Sequence, residues 1–275
     1  MHAQDAESLS AHDGRSDQYS LVRILGIWAA AAGPMAILGW VIFPLVSPSY
    51  QDDPLGAGVT RVVLLTLGLM WEFVLALILV RQEEGSLEWG KLKRRLWLQA
   101  PKDPKTGRTR GRLWLWVVPA LLGVALVEIV LSPTLQSIWV SVFPFLSEPP
   151  GFDFQTALGT PAIQQSLVGA WWFLGLFAVF QLFNTFLGEE LLFRGILLPK
   201  MEGVFGRWSW VANGLIFGLY HLHMPWGILG TFISTTFFFS LPAWRFRSTW
   251  MSIVIHSAQS VFLAFLILGI VLGMA

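Results

Sequence analysis

Residues 181–200 read QLFNTFLGEELLFRGILLPK. This stretch places two adjacent carboxylates, Glu189 and Glu190, and one guanidinium, Arg194, within a run of leucine, phenylalanine and isoleucine. An apolar run of this length is typical of a helix that crosses a bilayer. Ionisable side chains at membrane depth are costly, and for that reason they usually mark a function. The stretch therefore predicts a membrane-embedded fold and a site within it.

The composition of the whole chain supports the same fold class. The chain is 55% hydrophobic and only 13% charged, whereas a soluble domain is about 25% charged. The net charge of +1 does not predict a nucleic-acid partner. The absence of cysteine excludes disulfides, thiolate metal sites and a cysteine nucleophile. We expect an all-α, polytopic integral membrane bundle of about seven to eight transmembrane helices that enclose an intramembrane active-site cavity.

The long apolar blocks predict seven membrane spans. A further apolar piece, 136–146, is too short to cross, and we expect it to lie in the interface or to re-enter the bilayer. The chain then divides into a disordered tail (1–19), N-terminal transmembrane helices (20–166) and a core that carries the site (167–275). The predicted spans are 22–46, 59–80, 113–132, 167–198, 208–223, 226–243 and 249–273.

The distribution of lysine and arginine predicts the orientation. The loop 81–112 contains 10 of the 18 basic residues, whereas the connections 47–58 and 133–166 contain none. Because basic loops remain on the cytoplasmic side, we expect this loop and the N-terminus to be cytoplasmic. The connections 199–207 and 244–248 are also basic and are expected on the same side.

Three ionisable side chains on three different spans are predicted at similar depth. From the nearest basic anchor, the helical rise gives ~15 Å for Glu190, ~21 Å for His221 and ~13 Å for His256. In a hydrocarbon core of ~30 Å these depths overlap near the midplane. The sequence thus predicts one shared site that opens toward the cytoplasm.

The spacing within each helix suggests how the charges are divided. Glu190 and Arg194 are four residues apart and are expected to form an ion pair. Glu189 is rotated by ~100° and remains free to act as a general base. Phe217 and His221 form another such pair, so that an aromatic edge is expected beside the imidazole. Ser252, His256 and Ser260 form a polar stripe on the last span.

A purely structural role for these groups stays open, because buried polar residues also hold membrane helices together. This alternative applies most to the Glu190–Arg194 pair, because an ion pair of this kind can be stable without any catalytic role. For Glu72 and Glu128 we expect helix packing rather than catalysis. His223 is expected on the face opposite His221, near the interface, and Gly214 and Gly218 are expected to allow close packing within the monomer.

The motifs resemble those of a known family. Glu189-Glu190-Leu-Leu-Phe-Arg194 matches EExxxR, Phe217-Gly-Leu-Tyr-His221 matches FxxxH, and His256 lies on the following span. Together they are similar to the CPBP (CAAX protease and bacteriocin-processing, Abi-type) intramembrane proteases, which are related to the CAAX prenyl protease Rce1. The resemblance covers roughly residues 167–265.

The resemblance implies a role for each residue. Glu189 would be the catalytic glutamate and would act with His221 to activate water, while Glu190 and Arg194 brace the site and His256 helps to stabilise the oxyanion. The last family motif usually reads HxxxN, whereas here Ser260 stands in the asparagine position. We expect no cofactor; the less favoured alternative is zinc held by Glu189, His221 and His256.

The sequence therefore predicts an intramembrane endopeptidase of a prokaryotic plasma membrane. Its partners would be the lipid bilayer and a peptide or protein substrate at the membrane, with lipidated termini among the candidates. A catalytically inactive membrane scaffold or binding protein is the alternative from another class. A proton-coupled transporter is a third reading, but no repeated halves support it.

Overall fold

The chain is almost entirely helical. The computed structural model describes residues 17–47, 49, 51–149, 152 and 157–274. Within these residues there is no β-strand, only a single antiparallel bridge between Lys102 and Thr109. The helices are α1 (Leu21–Val46), α2 (Pro54–Glu84), α3 (Trp89–Arg95), α4 (Gly111–Val142), α5 (Pro161–Leu167), α6 (Trp171–Lys200), α7 (Glu202–Phe205), α8 (Ser209–Tyr220), α9 (Pro225–Phe246) and α10 (Thr249–Val271).

The predicted all-α membrane bundle is confirmed, with a smaller number of long helices. Among the described residues, six helices are long and apolar enough to cross a membrane: α1, α2, α4, α6, α9 and α10. The predicted span 208–223 is shorter than expected, because α8 has 12 residues and rises only ~18 Å. Its backbone leaves the helical conformation at His221, where ψ is 35°.

Helices α8 and α9 form a tightly packed hairpin. A side chain at Gly214 would overlap Thr236, and one at Gly218 would overlap the ring of Phe232. The hydroxyl of Thr235 also donates to the carbonyl of Gly214, at 3.1 Å. The predicted close packing of these glycines within the monomer is confirmed.

The prediction of a separate apolar piece at 136–146 was wrong. Its residues as far as Val142 belong to α4, which continues through a π-helical stretch at Leu126–Leu131 into the helix Ser132–Val142. Pro133 does not break the helix, because it lies in the first turn after the π-helical stretch, where proline is tolerated.

The basic loop 81–112 is folded against the ends of other helices. The buried guanidinium of Arg95 donates to Glu83 at 2.6 Å and to the carbonyl of Gly195 in α6 at 3.0 Å. The amide of Lys102 donates to the carbonyl of Phe246 at 2.9 Å, and that of Thr249 to Trp97 at 3.0 Å. The loop and the two other basic connections therefore meet at one end of the bundle, as the charge distribution predicted.

A turn at Asp103 shapes the far end of this loop. The amides of Lys105 and Thr106 donate to the Asp103 carboxylate at 2.9 and 3.1 Å. These bonds, with the nearby Arg110, hold the pKa of Asp103 below its usual range. The loop therefore carries its own hydrogen-bonded structure.

The predicted N-terminal tail lies mostly outside the described residues, which begin at residue 17. The last of its residues are attached to the bundle. Tyr19 is buried, its amide donates to the carbonyl of Lys200 at 3.0 Å, and its hydroxyl contacts Glu83. The described part of the tail thus contacts both α2 and the end of α6.

One glycine sets the distance between α2 and α6. A β-carbon at Gly188 would lie 2.6 Å from the carbonyl oxygen of Phe183 and 2.9 Å from that of Leu69 in α2. The obstacles are backbone atoms, which cannot move away as a flexible side chain can. Gly188 therefore allows α2 to approach the acidic pair that follows it.

We expect Gly188→Ala to lower the free energy of unfolding by about 1–3 kcal/mol, because the added methyl overpacks this contact. Thermal unfolding in detergent measures the change. Gly175→Ala is the matched control on the same helix, since a β-carbon there meets nothing within 4 Å. Equal stability of the two variants would contradict the role given to Gly188.

Candidate active site

The candidate active site forms where α6, the end of α8 and α10 meet. Glu189 stands between two π-helical stretches of α6, Phe183–Gly188 and Glu190–Leu197. A π-helix turns less per residue than an α-helix, and it often occurs at functional sites. Both adjacent carboxylates consequently point into the protein, with Glu189 3% and Glu190 0% exposed.

Glu190 is the centre of a buried charge cluster. Its Oε1 lies 3.3 Å from Nη1 of Arg194 and 3.0 Å from Nδ1 of His256. The predicted pairing of Glu190 with Arg194 is therefore confirmed. Because a carboxylate can only accept, Nδ1 of His256 carries the hydrogen, which leaves Nε2 for other partners.

Arg194 is held by aromatic rings as well as by charge. Its guanidinium carbon lies 4.1 Å from the ring centroid of Phe217 and 5.6 Å from that of Phe239. Phe239 also stacks on the imidazole of His256, with 4.7 Å between centroids. Phe217 of α8 thus contacts Arg194 of α6, and it also contacts the imidazole of His221, as the sequence predicted.

Glu189 and His221 face each other without a direct hydrogen bond. Oε1 of Glu189 lies 3.9 Å from Nε2 of His221. Nδ1 of His221 lies 3.0 Å from the carbonyl oxygen of Phe217, and because a carbonyl only accepts, Nδ1 must carry the hydrogen. In neutral His221, Nε2 is therefore an acceptor that faces a carboxylate oxygen. The gap suits a molecule with two donors, such as water.

The predicted meeting of three helices is confirmed, but the histidines have different partners. His221 faces Glu189, whereas His256 binds Glu190. Among the described residues, no three histidine, aspartate or glutamate side chains converge closely enough to hold a metal ion. The set Glu189, His221 and His256 as it stands does not fit zinc.

Two residues that the sequence reasoning did not assign to the site lie beside it. The hydroxyl of Tyr220 lies close enough to the carboxylates of Glu72 and Glu189 to interact with both. Neither contact has hydrogen-bond geometry, and the Tyr220 oxygen and both Glu72 oxygens are buried without a partner. Two features of the sequence could have identified them: the position of Tyr220 next to His221 and the depth of Glu72 in its span. Glu72, which we expected to pack against other helices, thus lies beside the candidate site.

Ser260 and His223 are two further polar residues that are buried. Ser260 is buried, and its hydroxyl has no partner among the described residues. The expectation for His223 was wrong: it is buried, and its ring stacks on His221 with 5.4 Å between centroids. The expectation placed His223 on the opposite face of an α-helix from His221. Residues 221–223 form a 3-10 turn instead, so the angle between their side chains differs from that in an α-helix.

Arg194→Met is expected to lower the free energy of unfolding by about 3–5 kcal/mol, because it leaves Glu190 buried without its cation. The double variant Glu190→Gln/Arg194→Met removes both charges and should recover part of this loss. Chemical unfolding of the two proteins measures the difference. A double variant that is no more stable than Arg194→Met would show that the ion pair is not the dominant contact.

The comparisons with known proteins agree with the motifs. Residues 170–262 match the model of a family described as Rce1-like, type II CAAX prenyl endopeptidase. No curated protein and no solved structure matches the chain. The matched segment contains every site residue discussed above except Glu72. Residues 170–262 are therefore similar to Rce1-like proteins, which confirms the resemblance to the CPBP and Rce1-related family and supports, at a general level, an intramembrane protease of the CAAX type.

Proposed function

We propose that the protein is an intramembrane endopeptidase in which Glu189 and His221 activate the attacking water. The observation that carries this proposal is the 3.9 Å separation of Glu189 Oε1 and His221 Nε2. Both atoms accept hydrogen bonds, so a water between them would donate to each and turn its lone pair outward. That arrangement prepares the oxygen for attack and provides a base for its proton.

The reaction needs no covalent bond to the protein. The water oxygen attacks the carbonyl carbon of the substrate, and its proton passes to Glu189. The tetrahedral intermediate then collapses, the C–N bond breaks, and the proton passes to the leaving nitrogen. The products are a carboxylic acid, which keeps the second hydrogen of the water, and an amine, and Glu189 returns to its starting carboxylate form.

The oxyanion of the intermediate needs a donor. In our proposal this donor is Nε2–H of His256 in its protonated form, which the Glu190 carboxylate stabilises from the Nδ1 side at 3.0 Å. The unpartnered hydroxyl of Ser260 lies one turn further along α10 and has a hydrogen to donate. It offers a single donor where the family asparagine offers two.

The substrate class that fits this site is a peptide bond of a membrane-associated protein. The reacting groups lie within helices that are apolar enough to cross a bilayer or next to such helices, so a substrate reaches them from the membrane or its surface. A lipidated terminus would hold a peptide at that surface. We further propose a prokaryotic plasma membrane, with the loop 81–112 on the cytoplasmic side.

Glu189→Gln is expected to lower kcat by about 10²- to 10⁴-fold, the usual contribution of a general base, while the protein stays folded. The assay uses proteoliposomes and a library of membrane-anchored peptides, with and without a C-terminal lipid, and detects products by mass spectrometry. Glu128→Gln is the matched control, because Glu128 is an exposed glutamate of another membrane helix. Wild-type cleavage by folded Glu189→Gln would refute the mechanism.

A membrane scaffold is the second candidate, and Ser260 in place of the family asparagine is the observation that favours it. A scaffold would cleave no peptide of the library, and its binding to a membrane target would survive Glu189→Gln. Cleavage by the wild type, lost in this variant, would exclude a purely scaffolding role.

The metal-free mechanism makes a separate prediction. Purified protein is expected to contain less than stoichiometric zinc and to keep its cleavage rate after treatment with a chelator, because the proposed water is activated by Glu189 and His221 alone. Elemental analysis and the same peptide assay measure both properties. Stoichiometric zinc together with loss of activity on chelation, and recovery on zinc addition, would favour the zinc-dependent alternative.

A further inference from the structure

Glu72 is a fully buried carboxyl group that the proposed mechanism does not use. It lies in α2 with 0% of its surface exposed, and neither carboxyl oxygen has a hydrogen-bond partner. The close approach of Leu69 to Gly188 brings α2 against the helix that carries Glu189. An unsatisfied carboxyl at this depth is expensive, which suggests that it has a role in the site.

The hydroxyl of Tyr220 connects the two carboxyl groups. It is buried, has no hydrogen-bond partner among the described residues, and lies within interaction range of both Glu72 and Glu189. Tyr220 is fixed by its neighbours, with ring centroids 5.1 Å from Phe193 and 5.7 Å from Phe217. Small rotations of the carboxyl groups would therefore complete hydrogen bonds that are loose in the absence of substrate.

The charge balance of the cluster indicates which carboxyl holds a proton. Glu72, Glu189 and Glu190 are all buried, and the permanent cation Arg194 interacts with Glu189 and Glu190. Glu190 pairs with Arg194 and His256, and Glu189 faces His221. Glu72 is then the third carboxyl, and no described cation forms an ion pair with it. Burying it as an anion would leave an uncompensated charge.

We propose that Glu72 is a positioning residue that stays a neutral carboxylic acid and, through the hydroxyl of Tyr220, orients the carboxylate of Glu189 toward His221. The acid proton of Glu72 is donated to the Tyr220 oxygen, and the Tyr220 hydrogen is donated to one oxygen of Glu189. The other oxygen of Glu189 remains free for the attacking water. This inference rests on the proposed role of Glu189 as the base.

The test compares a neutral isostere with a truncation. Because a glutamine side chain also donates a hydrogen bond, Glu72→Gln is expected to keep kcat within a few-fold of the wild type, whereas Glu72→Ala and Tyr220→Phe should lower it by about 10- to 100-fold, the value of a hydrogen bond to a charged group. KM should change little in all three. In a double-variant cycle, Glu72→Ala and Tyr220→Phe should be non-additive. Equal losses of activity in Glu72→Gln and Glu72→Ala, with both proteins folded, would overturn the proposal.

A spectroscopic measurement tests the proton on Glu72 independently of activity. Infrared difference spectra of the wild type against Glu72→Gln should contain the C=O stretch of a protonated carboxylic acid, and Tyr220→Phe should shift this band. Glu128→Gln is the control and should leave it unchanged. No such band in the wild-type minus Glu72→Gln difference would overturn the proposal, even if Glu189→Gln proves that Glu189 is the base. Conversely, the band could be present while the Glu189→Gln variant remains active. This result would refute the proposed mechanism but would still support the pairing of Glu72 with Tyr220.

Discussion

The buried carboxylate of Glu190 is the group on which the arrangement of the site depends. An isolated anion in an apolar bundle is unstable, so the surrounding helices must bring positive or donating groups to it. Arg194 provides the cation from the same helix, and His256 provides a donor from α10, with both contacts on one oxygen. Arg194 also lies over Phe217 of α8. The contacts of this buried ion pair thus connect the three helices that carry the site.

With Glu190 occupied in this way, its neighbour Glu189 has a different environment. It has no ion pair of its own at short distance; it faces a histidine nitrogen across 3.9 Å and lies near the hydroxyl of Tyr220. Two adjacent carboxylates of the same chemistry therefore have different partners, because their surroundings differ. The π-helical backbone contributes to this by turning both side chains into the protein.

The rest of the bundle supports α6 from two sides. Gly188 allows α2 to lie against the acidic pair, and Arg95 of the basic loop binds the carbonyl groups of Gly195 and Ile196 in the C-terminal half of the helix. The same loop also holds the connection between α9 and α10 through hydrogen bonds at Trp97, Gln99 and Lys102. A segment whose charge only indicated its side of the membrane is therefore also a structural support for the site.

The sequence by itself determined the helical membrane fold, the pairing of Glu190 with Arg194 and the contact between the segments that carry Glu189, His221 and His256, because hydropathy and helical spacing are local or additive properties. Only the tertiary structure decided that α8 is short, that 136–142 continues α4, and that His256 binds Glu190 while His221 faces Glu189. It also brought Glu72 and Tyr220 to the site. Such features depend on π-helical and 3-10 turns and on contacts between distant helices, such as Gly188 against Leu69. The periodicity of a single helix does not predict such features.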